Sequence, residues 1–317
     1  IDTYESEVIG LKYDFSRLVN QKISFGAGAE YKYDWGYFDN KGSYEASTKG
    51  HSDNLAIYGN FGLNILQNSN FSLFGRIDKH KQTGRNNTYK INFEQTFSNL
   101  NIGISYMNGL RNPTLYEMFG TDNFGYSGNK NLKPEKSNTY EIYSKIDLNE
   151  NLNLSLRAFR ANIQNNIEYV NNKYQNDNDN VDLNQSGLNN QFNIKFKNTK
   201  INFFSSFLSS KKENSADQLR RPEKSYGLNI SQKIKNNFIN DLFLNLKYNH
   251  YGKHFDTHSS NFSTIEMDST DLIDLKITKK INNSEFYVKI TNALDESYQR
   301  PHGYNQENRI IKFGVKY

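Results

Sequence analysis

The chain has 317 residues, a formal net charge of +5, no Cys, four Pro and 14% aromatic residues. The absence of Cys excludes disulfide scaffolds, cysteine-ligated zinc sites and thiol nucleophiles. No stretch approaches the roughly 18 consecutive apolar residues of a membrane-spanning helix, so a helical membrane protein is excluded. The mean hydropathy of −0.85 is low for a protein with a large core, yet a high aromatic content is not typical of disordered chains.

In chain order, the segments predict long strands because apolar and polar residues alternate. Between Ile23 and Tyr37 every odd position carries an apolar, aromatic or Ala side chain, and the even positions are small or polar. A period of two residues is typical of a strand with one apolar face. The same alternation recurs in segments 55–65, 89–97, 100–106, 140–148, 242–248 and 311–317. The pattern predicts an all-β fold with about fifteen strands, a count that takes residues 152–171 as a single strand, and most of the strands are longer than a typical globular strand.

The connections between these strands alternate in length. Short turns are predicted near 16–21, 67–70, 98–99, 149–151, 197–200, 235–239 and 281–284, and long polar loops near 38–53, 81–87, 112–136, 172–180, 212–223, 253–264 and 295–307. Short turns at one end and long loops at the other are typical of a transmembrane antiparallel β-barrel. A polar lumen and large loops would also explain the low mean hydropathy.

The strand count and the first residues point to an incomplete barrel. Bacterial single-chain barrels have an even number of strands, whereas fifteen is odd. The sequence begins with Ile1 and shows no signal peptide. We therefore expect residues 1–317 to form the C-terminal part of a larger barrel, with Tyr317 ending at the periplasmic face.

Four short motifs carry a family resemblance. They are GLRNPTLYEMFG at 109–120, GNKNLKPEKS at 128–137, LRRP at 219–222 and NALDESY at 292–298. In this order they resemble motifs of TonB-dependent outer-membrane receptors, and the resemblance covers residues 54–317. The positions that match are Arg111, Pro113, Glu117, Asn131, Leu132, Pro134, Glu135, Asn292, Asp295, Tyr298 and the terminal aromatic Tyr317. We expect these residues to set loop geometry rather than to touch a ligand.

The resemblance implies a barrel of roughly 22 strands closed by a plug domain. About seven strands and the plug would then lie outside this chain. It further implies a Gram-negative outer-membrane receptor, embedded in outer-membrane lipid, that imports a scarce, large ligand with energy from the TonB complex, which acts on the plug. The ligand is expected to be cobalamin or a related corrinoid, or an iron–siderophore complex. A passive porin-like channel and a secreted soluble β-protein with a structural or adhesive role remain the alternatives.

The predicted loop 112–136 carries four aromatic residues among Gly and Asn, and these are the candidate ligand contacts: Tyr116, Phe119, Phe124 and Tyr126. Exposed aromatic side chains on long outward loops suit a planar or bulky ligand. The alternative is that they pack against neighbouring loops.

Three histidines recur at every fourth residue, His250, His254 and His258. On a helix they would share one face and could bind metal or haem. The segment is predicted to be a strand end that enters a loop, so we expect solvated histidines at the rim, with no metal or cofactor.

The oxygen-rich segment Asn176–Asp182 could bind calcium, but it lacks the spacing of an EF-hand loop, and a polar loop tip is the alternative. No nucleophile elbow, zinc-protease motif or phosphate-binding loop is present, so we do not expect an enzyme. The charge is spread without a basic run, which argues against nucleic acid as a partner.

Overall fold

The computed structural model describes residues 2–170, 172–177, 182–212, 218–235 and 242–317. The elements are β1 (Asp2–Leu18), β2 (Ile23–Asn40), β3 (Ala46–Leu66), β4 (Ser69–His80), β5 (Gly84–Phe97), β6 (Leu100–Arg111), α1 (Leu115–Phe119), β7 (Glu135–Asn149), β8 (Leu152–Gln164), β9 (Ile167–Val170), β10 (Lys173–Asn176), β11 (Leu183–Phe196), β12 (Thr199–Lys212), β13 (Lys224–Ile234), β14 (Leu242–Tyr251), β15 (His254–Thr257), β16 (Thr264–Met267), β17 (Thr270–Ile281), β18 (Ser284–Thr291) and β19 (Ile310–Lys316).

Fifteen of the described strands form one antiparallel sheet in chain order, and the hairpins β9–β10 and β15–β16 stand apart from it. Each strand of the sheet pairs with its sequence neighbour in the sheet, and β1 and β19 lie at the two edges. Connections at one end of the sheet are short, such as 98–99 and 282–283, whereas those at the other end include 112–134 and 292–309. We name these the turn end and the loop end. The predicted all-β fold of about fifteen strands is confirmed.

One face of the sheet is apolar and exposed, which inverts the usual relation between polarity and burial. Phe61, Leu73 and Ile91 lie side by side on β3, β4 and β5. The apolar side chains of this face are open to solvent, with Ile57 at 64% and Phe313 at 76% exposure. A soluble sheet would bury such a face, whereas a membrane barrel turns it toward lipid.

The opposite face, which we name the polar face, is lined by charged residues, amides and aromatic rings that lie over glycines. Gly103 on β6 pairs directly with Tyr143 on β7, and a Cβ on Gly103 would lie only 2.1 Å from the Tyr143 ring. The Tyr143 hydroxyl bonds Asn92 Oδ1 at 3.0 Å and Glu94 Oε2 at 2.9 Å. The glycine therefore makes room for a ring that is hydrogen-bonded two strands away.

Two predicted boundaries are wrong in detail. The strands β2 and β3 extend through most of the predicted loop 38–53 and pair to their ends, where Asn40 faces Ala46. Polar residues in this extension hide the alternation that marks the rest of the strands. The predicted single strand over 152–171 is divided into β8 and β9, because the chain turns at Asn165, whose φ is +53°.

Among the described residues, no helix has the length and apolar character needed to cross a membrane.

Candidate functional site

The loop 112–134 at the loop end is closed at its base by an ion-pair cluster. Arg111 at the end of β6 faces Glu135 at the start of β7. Its Nε and Nη2 atoms bond the Glu135 carboxylate at 2.6 and 2.9 Å. Its Nη1 atom lies 3.1 Å from Glu117 Oε1, inside the loop. One guanidinium thus joins both ends of the loop to its interior, and bidentate pairing of this kind is strong and directional.

The short helix α1 follows directly because the local sequence caps it. Thr114 and Glu117 form a capping box, in which each side chain accepts a hydrogen bond from the backbone N–H of the other. Pro113, which is buried, precedes this cap. The N–H of Gly120 bonds the Tyr116 carbonyl at 2.8 Å and ends the helix. The motif GLRNPTLYEMFG therefore describes a strand end, a cap and one turn of helix.

The loop has a small core of its own, built with the β9–β10 hairpin. Met118, Leu132 and Ile167 are buried together, with Tyr174 packed against them. Backbone and amide bonds join the two segments, including Lys133 N to Asn176 Oδ1 at 2.7 Å. These two loop-end segments fold as one unit, which we name the loop core.

The loop core reaches across the polar face to β1, β2 and β3. Phe119 lies against Gly50 on β3, where a Cβ would meet its ring. The Thr48 hydroxyl donates to the Phe119 carbonyl. Asn40, which is fully buried, donates its amide to the Asp122 carbonyl. The loop leaves the sheet at β6 and is thus fixed to strands on the far side of β4 and β5.

A cluster of aromatic rings forms at this contact, and we name it the tyrosine cluster. Its members are Tyr4, Phe38, Tyr116, Tyr126, Tyr169 and Tyr174. Tyr116 lies at its centre, with ring centroids 5.7 Å from Tyr4 and 5.0 Å from Tyr126. Tyr4 and Tyr169 are about half exposed, so the cluster has an open edge. Sequence reasoning missed Tyr4, Phe38, Tyr169 and Tyr174, since strands and loops distant in sequence bring them here.

The four candidate ligand contacts have different surroundings. Phe124 is 77% exposed, whereas Tyr126 is 2% exposed. The Tyr126 hydroxyl donates to the Tyr116 and Glu117 carbonyls at 2.6 and 3.1 Å. Tyr116 and Phe119 are half-buried. Burial raises the pKa of the Tyr116 and Tyr126 phenols above its ordinary value, because it disfavours the charged phenolate. Ligand contact by any of the four stays a prediction.

The other residues of this loop that match the family motifs also differ in how exposed they are. Leu132 is buried in the loop core and Pro134 is buried beside it. Asn131 is exposed, and its N–H bonds Asn129 Oδ1 at 3.1 Å.

A second cluster at the loop end is organised by a buried carboxylate. Asp256 has no exposed surface. It accepts hydrogen bonds from Arg220 Nε at 2.7 Å, the Thr257 N–H at 2.7 Å and the His302 N–H at 2.8 Å. Burial alone would raise the pKa of Asp256, but the bonds from Arg220 and from the two backbone N–H groups outweigh it and hold the pKa below its usual value. The Asp256 carboxylate thus joins three segments of the loop end, which contain Arg220, Thr257 and His302.

The segment NALDESY forms a compact turn after β18. Asn292 is 4% exposed, and its side chain bonds the Glu296 N–H and carbonyl at 2.9 and 2.8 Å. Asp295 accepts the Arg309 N–H at 2.8 Å. The Tyr298 carbonyl accepts the Gln306 N–H at 3.0 Å, and Tyr317 is 96% exposed. The contacts of Asn292, Asp295 and Tyr298 hold the ends of loop 292–309 together.

The histidine series does not gather at one point. His250 bonds Asp271 and stacks on Tyr226, with ring centroids 4.4 Å apart. His258 lies beside His302, with centroids 4.6 Å apart. Across the described ranges, no group of three His, Asp or Glu side chains is arranged to hold a metal ion.

The possible calcium segment falls largely outside the described residues, at 178–181. At its described start, Asp177 Oδ1 already accepts a bond from Lys212 Nζ at 3.0 Å. The calcium hypothesis stays untested.

Comparison with known proteins gives one family and one fold. The model of the TonB dependent receptor-like β-barrel family matches residues 2–304. Among solved structures, the siderophore receptor PirA from Acinetobacter baumannii has a TM-score of 0.79 at 15% identity, covering 100% of this chain and 55% of PirA. The ferric-catecholate import receptor Fiu from E. coli K12 has a TM-score of 0.80 at 15% identity, covering 98% of this chain and 54% of Fiu. The ferripyoverdine receptor of Pseudomonas aeruginosa has a TM-score of 0.78 at 14% identity, covering 99% of this chain and 49% of that receptor. The chain thus spans about half the length of these structures.

Proposed function

Since the chain belongs to the TonB-dependent receptor β-barrel family, we propose that it is the C-terminal barrel part of an outer-membrane receptor that imports an iron–siderophore complex. The apolar face then meets lipid and the polar face lines the lumen. The loop end faces outward, because barrels of this kind have short periplasmic turns and longer extracellular loops.

The observation that carries the proposal is the tyrosine cluster at the outward mouth. The loop core holds aromatic rings over the polar face, where a ligand from outside would arrive first. Phe124 is exposed beside this cluster, and Tyr4 and Tyr169 expose about half of their surface. Aromatic faces and phenol hydroxyls suit a bulky ligand that carries rings and polar groups.

The names of similar structures favour the siderophore over the corrinoid. The receptors named above are described as siderophore, ferric-catecholate and ferripyoverdine receptors. A corrinoid remains the second candidate, because the loop motifs fit receptors of either ligand.

Energy coupling and the plug belong to the same proposal. Within the described residues β1 and β19 have no partner strand on their outer sides, which fits a sheet that continues into further strands. We propose that those strands and a plug complete the receptor and that the TonB complex acts on the plug. A passive porin would need neither partner.

Growth of a deletion strain tests the proposed function. The complete receptor should restore growth on a ferric siderophore as the sole iron source, and only while TonB is present. Growth restored on a corrinoid instead would select the second candidate. Uptake without TonB would select a passive channel, and recovery in the soluble fraction without detergent would contradict the membrane location.

A further inference from the structure

Charged residues divide the polar face into two halves. The strand pairing fixes which positions of each strand lie on this face. On β1–β8 these positions carry seven Lys or Arg and nine Asp or Glu, whereas on β11–β14 and β17–β19 they carry ten Lys and only two acids, Asp274 and Glu285. This count covers all fifteen described strands of the sheet, so the second half is strongly basic.

The two halves also differ in how their cations are paired. On β1–β8, six of the seven cations lie within ion-pair distance of a carboxylate, as Arg76 does with Glu30. The second half contains five lysines that bond no acid within the described part of the chain. We name them the lysine row, and they are Lys195, Lys200, Lys276, Lys289 and Lys312.

The lysine row lies in one register across the sheet. From β11 to β19, the residues that face one another in succession are Lys195, Lys200, Ser231, Asn245, Lys276, Lys289 and Lys312. Like charges directly opposite each other on a sheet are destabilising. Lys289 has such a neighbour on both sides. A row without an acid therefore lowers the stability of the sheet unless an anion lies in front of it.

The lysine row runs from one end of the polar face to the other. Lys312 lies two residues from the loop end of β19, and Lys195 lies one residue from the turn end of β11. Strands of membrane barrels tilt by about 35–45°, so a row that crosses them at right angles climbs along the barrel axis. Lys276, near the middle of β17, lies between these two ends.

The ammonium groups of the row are accessible. Four of the five lysines are exposed, and the fifth, Lys276, is half-buried with its Nζ 5.0 Å from the centroid of the Tyr287 ring. At the turn end, Lys195 and Lys200 line a cavity of about 620 Å³ whose lining contains one acid, Glu150. Ser231 and Asn245 separate Lys200 from Lys276 by about 14 Å, which is three strand spacings.

We propose that the lysine row is a path through the lumen for a ligand of net negative charge. Neighbouring ammonium groups attract the anion in turn, so the ligand keeps a counter-charge as it moves from the loop end to the turn end. Among iron–siderophore complexes, the row favours a ferric tris-catecholate, which carries three negative charges, over a ferric tris-hydroxamate, which is neutral. The inference rests on the proposed function, because the lumen and the outward direction come from it.

Single thiols measure the potential at the row, because residues 1–317 contain no Cys. Ser231→Cys introduces a thiol opposite Lys200, and Ser72→Cys on the polar face of β4 is the matched control. The purified complete receptor, with any other Cys replaced, is treated with an anionic and a cationic methanethiosulfonate. We expect the ratio of the anionic to the cationic rate to be about tenfold higher at Ser231→Cys. Lys200→Gln should lower this ratio, and Lys90→Gln should not.

Uptake of two chelates tests whether the ligand uses this potential. Cells with the complete receptor receive a ferric tris-catecholate or a ferric tris-hydroxamate that contains radioactive iron. Lys289→Gln combined with Lys312→Gln should slow tris-catecholate uptake about fivefold without weakening its binding at the loop end. Arg at both positions should retain the rate. Lys90→Gln, an exposed lysine on the polar face of β5, is the control and should leave uptake unchanged.

Several results would overturn the inference. They are equal reagent ratios at Ser231→Cys and Ser72→Cys, no reaction of Ser231→Cys with either reagent, and unchanged tris-catecholate uptake in the Lys289 and Lys312 variant. Equal slowing of both chelates would also overturn it, because the lysines would then hold the receptor together rather than attract the ligand. Import of the tris-hydroxamate alone would overturn it and leave the proposed function standing. Import of neither chelate would contradict the proposed function, and the thiol ratios decide separately whether the row attracts anions.

Discussion

Arg111 and Glu135 face each other across β6 and β7 and are joined by two hydrogen bonds of 2.6 and 2.9 Å. Since Arg111 also binds Glu117 in the loop core, this pair fixes the base of the loop to its interior. The loop and its aromatic residues are positioned on the sheet by this contact.

Replacing Arg111 by Gln should loosen the loop core, because Glu117 would lose its cation in a largely buried position. We expect a loss of about 1 kcal/mol of local stability and faster protease cleavage between residues 112 and 134. Arg157→Gln is the matched control, since Arg157 pairs with Glu141 on the barrel wall away from the loop. Equal cleavage in both variants would mean that the Arg111 cluster does not hold the loop.

Phe124→Ala should weaken binding of the imported ligand without changing the thermal unfolding of the receptor, because the ring is exposed and packs little. Isothermal titration with the ferric siderophore identified by the growth test gives the affinity. Unchanged affinity would remove Phe124 from the candidate contacts.

Tyr126→Phe should lower the local stability of the loop core and change the ligand affinity only indirectly. The ring stays in place, but two backbone carbonyls lose the hydroxyl that donates to them, at about 1 kcal/mol for a buried hydrogen bond. We expect faster amide hydrogen exchange in α1 and only an indirect loss of affinity. Normal exchange with a large loss of affinity would instead identify Tyr126 as a ligand contact.

Acid should open the cluster around Asp256. Its pKa is lowered in the folded protein, so its contribution to stability is complete above the unfolded value of 3.8 and is lost as the pH falls through the folded value. Exchange of the His302 backbone amide hydrogen should therefore accelerate as the pH falls below 3.8. Asp256→Asn should show fast exchange already at neutral pH, and a variant that still exchanges slowly would contradict the assignment.

Gly103→Ala should destabilise the pairing of β6 and β7, because the new Cβ displaces the Tyr143 ring and breaks its bonds to Asn92 and Glu94. Overpacking of this kind costs about 1–3 kcal/mol. Gly75→Ala is the control, since a Cβ there meets no atom within 4 Å. A lower thermal transition for the first variant alone is the expected result.

The sheet could be predicted from the sequence because side chains alternate between an apolar face and a polar face, which gives the strands a period of two residues. The short helix α1 was not predicted, because a single helical turn is too short to show a 3.6-residue period. The partners of Tyr116 were not readable. Tyr4 and Tyr174 reach it from β1 and β10, and no local pattern encodes which loop crosses to which strand.

The attachment of the loop core to β1–β3 has a mechanical consequence. The loop leaves from β6 and ends on strands beyond β4 and β5, so it runs like a chord across an arc of six strands. Since the loop has a fixed length and is attached at both ends, it limits how far these strands can move apart. The contacts of Asn40 and Phe119 therefore limit how far this part of the wall can flatten, and cutting the loop should remove that limit.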